Sequence, residues 1–383
     1  MQKFEKHSPV VVTEVTTKHE LRQFMQYPNR LYADNPNYIP SFYGDDLSDW
    51  TPGKNPAFDY CEARCWLARR DGEIVGRIGA ILSHKANDKF GTHRMRFSQV
   101  DFVDDSEVSA ALFGTVERWA REKGCDQVHG PLGFTDMDRE GMLVEGFDRR
   151  SLFFTNYNAP YYLEHLTRLG YRKDVDWIEY RITVPEPGGA EAERLHKLSE
   201  FILKRKHLHV ATVHHKSEYG PFVRQVFELV NAAYAPLYGV VELSDEQIER
   251  YANKFIPLVD PDFVCFVVDE QDQLVAFGVT ALDPSVALKH SDGRLFPFGW
   301  AGVLNDLHHS DTLIMLLTAV RPDLQTEGIN AVMMDHVCQS CNRHGVRFAE
   351  TGPMLELNDH ILAQWKRLEK EQHKRRRCFI KQL

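Results

Sequence analysis

The sequence predicts an α+β protein built as a tandem duplication, and three observations carry that expectation. The chain has 383 residues, too many for one small core. Residues 65–82 (CWLARRDGEIVGRIGAIL) and 265–282 (CFVVDEQDQLVAFGVTAL) read as hairpins of equal length that align without a gap. Between them, Val184-Pro-Glu-Pro-Gly-Gly-Ala-Glu191 has the composition of a linker. The expected domains are therefore 1–185 and 186–383.

The elements follow in the same order in each half. The first hairpin turns at Asp71-Gly72 and the second at Gln271-Asp272. Met95 to Val103 reads as a strand before a helix with Val108, Leu112, Val116 and Trp119 on one face. Thr312 to Val320 precedes a helix with Ile329, Met333, Val337 and Cys341 at the same spacing. Gly124 and Gly345 end these helices, and the next strands run into Gly130-Pro131 and Gly352-Pro353. A further helix starts after Asn158 and after Asn358, and each half closes on a strand. The Gly-rich, non-periodic stretch from Gly130 to Phe147 reads as a functional loop lining a cleft between the domains.

Composition narrows the function. Apolar residues make up 43% and charged residues 26%, as in soluble globular proteins. A formal net charge of −9 opposes binding to a nucleic-acid backbone, which needs a basic surface. No stretch is apolar for long enough to span a membrane, and the charged N-terminus lacks a signal-peptide core. Seven scattered cysteines argue against a disulfide framework, so the expected location is cytoplasmic.

The most informative segment runs from Leu317 to Asn330. A strand ends at Val320, Pro322 stops it, and Gln325 to Gly328 form a turn that opens into a helix. The first amides of a helix have no internal partners and the dipole adds positive potential, so this place suits a pyrophosphate. Gly328 lets backbone approach a ligand closely. A Walker loop and a Gly-x-Gly-x-x-Gly dinucleotide loop are both absent.

Gln325-x-x-Gly328-Ile-Asn330, following a Val-x-Pro strand end, resembles the acetyl-CoA signature Gln/Arg-x-x-Gly-x-Gly/Ala of the GNAT acyltransferase superfamily. The resemblance covers most of 205–383 and, more faintly, the first half; the whole is similar to a bacterial branch with two GNAT domains in tandem. Glu356-Leu-Asn358 matches that branch's Glu-x-Asn, and Arg377-Cys-Phe379 its Arg-x-Tyr-type closing strand without the hydroxyl. The last Gly/Ala of the signature is Asn330, bulkier but able to donate a hydrogen bond. The resemblance implies a mixed, mostly antiparallel sheet flanked by helices in each domain. It also implies acetyl-CoA or another acyl-CoA held by Ala319, Val320, Gln325, Thr326, Glu327, Gly328, Ile329 and Asn330.

The first half lacks this loop. Asp101-Phe-Val-Asp-Asp-Ser-Glu107 has four carboxylates and no glycine, and would repel a pyrophosphate. It reads as a degenerate copy in which Asp104, Asp105 and Glu107 cap a helix and fill its first turn.

The implied reaction passes an acyl group directly to a small-molecule amine or other acceptor. Amides near Val320 would polarise the thioester carbonyl. Glu350, then Glu356, are the candidate bases. The family often protonates the leaving thiolate with a tyrosine, but none follows Tyr251. Asn358, Cys338, Tyr157, Tyr161 and Tyr162 are the candidate substitutes, with Glu350 and Asn358 the leading catalytic pair.

Two other readings stay open: a non-catalytic CoA-sensing or protein-interaction scaffold, and a long-chain acyltransferase fed by an acyl carrier protein. The latter would use Phe296, Phe298 and Trp300 of the long insertion Asp283–Ser310 to wall an acyl or acceptor pocket; the same cluster also reads as a packed contact. Cys338-Gln-Ser-Cys341 falls mid-helix and reads as buried thiols, so no metal site is expected. Lys374-Arg-Arg-Arg377 reads as a phosphate contact or a salt-bridged last strand.

Overall fold

The computed structural model describes residues 8–383; the rest of the charged N-terminal segment, residues 1–7, lies outside them. Its contacts divide the chain into two units. Among the described residues the first comprises 8–176, 288–297 and 375–383, the second 177–287 and 298–374.

In chain order the first part contains β1 (Val11–Glu14), α1 (Lys18–Leu31), α2 (Tyr43–Asp49), β2 (Cys61–Arg70), β3 (Glu73–Ser83) and α3 (His84–Phe90). β4 (Arg94–Phe102), α4 (Ser106–Glu122), β5 (Gln127–Gly130), β6 (Met142–Glu145), α5 (Tyr162–Arg168) and β7 (Arg172–Thr183) follow. The second part contains α6 (Ala190–Lys206), β8 (His209–Val210), α7 (Gly220–Tyr234), α8 (Asp245–Phe255), β9 (Val264–Val268) and β10 (Leu274–Leu282). After these come α9 (Ser285–His290), α10 (Gly299–His309), β11 (Thr312–Val320), α11 (Asn330–His344), β12 (Phe348–Glu350), β13 (Met354–Leu355), α12 (Asp359–Ala363) and β14 (Lys370–Gln382).

In the first unit β1 to β5 pair in order, and the last residues of β14 lie beside β5, with Phe379 opposite Gly130 and Gln382 opposite Gln127. Only β4 and β5 run parallel among these pairs. The hairpin turn at Asp71 and Gly72 has positive φ at both residues, the twist a two-residue connection needs. Val108, Leu112, Val116 and Trp119 are buried as their spacing predicts, packed with Met95, Phe97, Val128 and Phe379. Asp105 caps α4, accepting from the amides of Glu107 and Val108. A second core group on this unit joins Phe24 and Met25 of α1 to Trp50, Leu67 and Ile81.

In the second unit the order is β7, β12, β11, β10, β9, β8, with β13 also on β7. β11 and β12 are the parallel pair, and the other pairings are antiparallel. Here the hairpin is wider: five residues separate β9 from β10, and the Asp269 carboxylate accepts from the amides of Gln271 and Gln273. Strand alternation sorts the two faces of this sheet. Gly278 faces Met333 of α11, whereas its neighbour Val279 lines a hollow with Val226 and Phe227 of α7. Each unit is thus a mixed, mostly antiparallel sheet flanked by helices, the predicted class.

Candidate functional site

β11 pairs with β10 along its whole length but with β12 over three residues only, Thr312 to Ile314. A register shift on β10 between Val279 and Thr280 marks a bulge that bends β11 at the same level. Beyond Ile314 the two parallel strands part, and a cavity of about 100 Å³ lies beside the split. Met315, Leu317 and Thr318 of β11, Asn330, Met333 and Val337 of α11, and Trp365 line it. Almost all of that wall is apolar, which suits hydrocarbon or thioether far better than a sugar or a charge.

The predicted loop lies at the head of this cavity. Pro322–Leu324 forms a 3₁₀ turn, Gly328 takes φ 81°, and α11 begins at Asn330, whose side chain reaches the cavity wall. A Cβ on Gly328 would stand 3.1 Å from Ile202 Cδ1, so glycine answers both the backbone angle and the packing. Gln325 Nε2 donates to the Val320 carbonyl at 3.3 Å, closing the loop onto the strand end. Ala319, Val320 and Ile329 are buried, while Thr326 and Glu327 are exposed. The Arg321 amide is used by the Val275 carbonyl at 2.9 Å. Lys206 at the end of α6 meets Glu327 at 2.6 Å and holds that carboxyl below its ordinary range. No local pattern announces this lysine, because α6 lies far from the loop in the chain.

The two candidate catalytic residues occupy different surroundings. Ala349 lines the cavity, so Glu350, the next residue on β12, projects to the other face of the sheet. There it meets fully buried Lys374 at 3.2 Å, which also reaches Glu179 at 3.4 Å, with His373 3.8 Å from Glu350. Asn358 caps the short helix α12, accepting from the Ile361 amide at 3.3 Å. Glu356 is half-buried and lies outside the cavity wall.

A tyrosine from before Tyr251 touches the same strand without lining the cavity. Tyr234, at the end of α7, donates to the Thr318 carbonyl at 2.8 Å on β11. It lies outside the stretch after the loop, since α7 precedes the hairpin. Phe296 and Phe298 are 81% and 80% exposed and are not part of this cavity's wall. Cys338 and Cys341 line the cavity as buried thiols, pushed up by burial to about 11 and about 12, too high for a reactive thiolate. Lys374 and Arg376 are fully buried, and Asp176 takes Arg377 at 2.7 Å, so the basic run is an internally paired strand. Among the described residues one group, His129, Asp174 and Cys378, brings ligand-type atoms within 4.8 Å. Arg94 stands 3.7 Å from the same Asp174 carboxylate and opposes a cation there.

No family model matches the chain. It is 27% identical over 379 residues to Protein YghO of Escherichia coli, covering 97% of this chain and 95% of that protein. It is 28% identical over 300 residues to a bacterial ceramide synthase of Caulobacter vibrioides, covering 76% and 75%. Among solved structures, a tandem GNAT protein from the clavulanic acid biosynthesis pathway superposes with a TM-score of 0.55 at 14% identity, over 97% of this chain and 98% of that one. No helix among the described residues is long and apolar enough to cross a membrane. With the loop, the strand split and the order of elements, this likeness gives the chain the tandem GNAT acyltransferase fold.

Proposed function

We propose that the chain transfers an acyl group from acyl-CoA to an amine, with the donor bound in the second unit. The observation that carries this reading is the apolar cavity beside the parting of β11 and β12, headed by the Gln325–Asn330 loop. The acyl chain and the pantetheine arm would lie along Met315, Leu317 and Met333, and the pyrophosphate would meet the first turn of α11. Lys206 offsets the charge of Glu327 beside that helix start. Tyr234 is the candidate phenol for giving a proton to the leaving thiolate, a reading supported by its bond to the carbonyl of Thr318, a residue of the cavity wall. The relative named as a ceramide synthase points to a long-chain amino alcohol as acceptor and a fatty acyl group as donor. The wall's apolar character supports that choice over acetyl transfer.

Calorimetric titration with palmitoyl-CoA and acetyl-CoA, then thiol release with sphinganine, tests the reading. Palmitoyl-CoA should bind more tightly, and Gly328→Asp should abolish binding of both. Tyr234→Phe should lower kcat about 10- to 100-fold with little change in KM. Binding without thiol release would favour the non-catalytic scaffold, and no binding by the wild-type protein would end both CoA readings.

A further inference from the structure

Beside the loop that heads the cavity runs α6, whose outer stripe takes no part in holding an acyl group. Leu195, Ser199 and Ile202 are its buried residues. Ile202 Cδ1 is the atom that a Cβ on Gly328 would crowd, and Lys206, one turn further on, holds Glu327 at 2.6 Å. This face of α6 therefore meets the loop. Leu198, Phe201 and Arg205 recur at three and four residues and form a neighbouring stripe. All three are exposed, Phe201 by 58%. The Arg205 guanidinium carbon stands 5.9 Å from the centre of the Phe201 ring, within cation–π range.

Lys204, Arg205 and Lys206 all sit in the last turn of α6, where the helix dipole favours cations. The dipole explains the charge there but not how it is distributed. Lys204 lies about 200° around the helix from Ile202, away from the loop. Arg205, on the loop side, forms no hydrogen bond or ion pair with any described residue, yet its charge helps to lower the Glu327 carboxyl. Lys206 already neutralises that acid, so Arg205 leaves an uncompensated cation beside the start of α11.

An exposed aromatic ring next to an unpaired guanidinium suits a purine that carries a phosphate. The ring offers a face for the base to stack on, and the planar fork takes phosphate oxygens two at a time. Coenzyme A has such a group, its adenosine 3′-phosphate, one ribose away from the pyrophosphate. Helix positions three apart have Cβ atoms about 5–6 Å apart, so Arg205 stands within a ribose's reach of Ile202 and of the loop it packs on. We propose that α6 recognises the adenosine 3′-phosphate end of the donor, with Arg205 on the 3′-phosphate and Phe201 against the adenine. This rests on the acyl-CoA reading and sharpens it to a donor class. A thioester of coenzyme A uses the stripe, whereas an acyl group on a carrier protein's phosphopantetheine arm, which has no adenosine, leaves it empty.

Calorimetric titration of the full chain with palmitoyl-CoA, its 3′-dephospho form and S-palmitoyl-pantetheine tests this. The wild-type protein should bind palmitoyl-CoA about tenfold more tightly than the dephospho form. Arg205→Ala should lose that preference and bind both as the wild type binds the dephospho form. Phe201→Ala should weaken both adenosine-bearing donors about fivefold and leave S-palmitoyl-pantetheine unchanged. Both side chains are exposed, so circular dichroism and melting should stay those of the wild type. Adenosine 3′,5′-bisphosphate alone should displace palmitoyl-CoA from the wild type at a concentration about tenfold lower than from Arg205→Ala. Equal wild-type affinity for the two CoA donors, or an undiminished preference in Arg205→Ala, would overturn the proposal and leave the donor cavity standing. No binding of any of the three donors would instead end the acyl-CoA reading and this one together.

Discussion

At Asp136 burial lifts the carboxyl to about 6, and the neighbouring carboxylate of Asp138 adds repulsion. A raised acid binds its proton more tightly in the folded protein, so its stabilising share is present at low pH. That share is lost as pH rises from the unfolded value near 4 through about 6. His129 works in the opposite sense: burial depresses it to about 4, so its share is complete above about 6.5 and fades as pH falls. Asp136→Asn should therefore raise stability at pH 7 by on the order of 2 kcal/mol and leave it almost unchanged at pH 4. Urea unfolding at both pH values checks this; an equal gain at both would mean the carboxyl's charge is irrelevant. Legibility at this scale depends on sequence distance. Gln325 and Gly328 were readable because loop, proline and helix start are consecutive. Tyr234 meets Thr318 from 84 residues away, and no local pattern announces such a contact. For Glu350 the strand was readable but not its facing, since period-2 alternation needs a known neighbour such as Ala349 to set the phase.

Among the elements, α4 shows how much periodicity and capping reveal. Its four core positions were visible as a stripe, and its start as an acidic cluster that sequence alone assigns to capping. The structure adds what the stripe could not, namely Arg70 from β2 bonding Asp105 at 2.5 Å and Glu107 at 2.7 Å. Those acids are thus partly neutralised, and the Asp105 carboxyl is held below its ordinary range, chiefly by Arg70. Asp105→Ala should cost about 1–2 kcal/mol, because it removes the cap and one arm of the ion pair together. Asp105→Asn keeps the cap and should cost less than half as much. Thermal melts of the two variants decide between cap and charge as the source. The hairpins teach the complementary lesson. Equal length in the sequence concealed a two-residue turn in one half and a five-residue connection in the other, because the Asp269 carboxylate can organise a loop that strand patterning does not register.

For the whole molecule the decisive feature is the path of the last strand. Residues 375–383 belong to the first unit, although the sequence order places them at the end of the second half. Phe379 joins the core beside α4, and Cys378 and Ile380 are buried with it. Arg377 and Lys381 bond Asp176 and Glu117 at 2.7 and 2.8 Å. Nothing in the composition of Lys374-Arg-Arg-Arg377 marks this return, since a basic strand reads the same wherever it pairs. Cutting the chain after residue 374 would expose Phe379's apolar neighbours, about 2 kcal/mol for each large side chain removed. It would also strip Asp176, whose side chain is 1% exposed, of its arginine partners and leave β5 as an open edge. Against a typical domain stability of about 5–15 kcal/mol these losses are enough to unfold the unit. A chain of residues 1–374 should therefore lose protease protection across residues 61–176 while 264–350 stay resistant, and a peptide of residues 370–383 added in excess should restore protection. Equal protection of 61–176 with and without the last nine residues would show that the first unit holds together by its own strands alone.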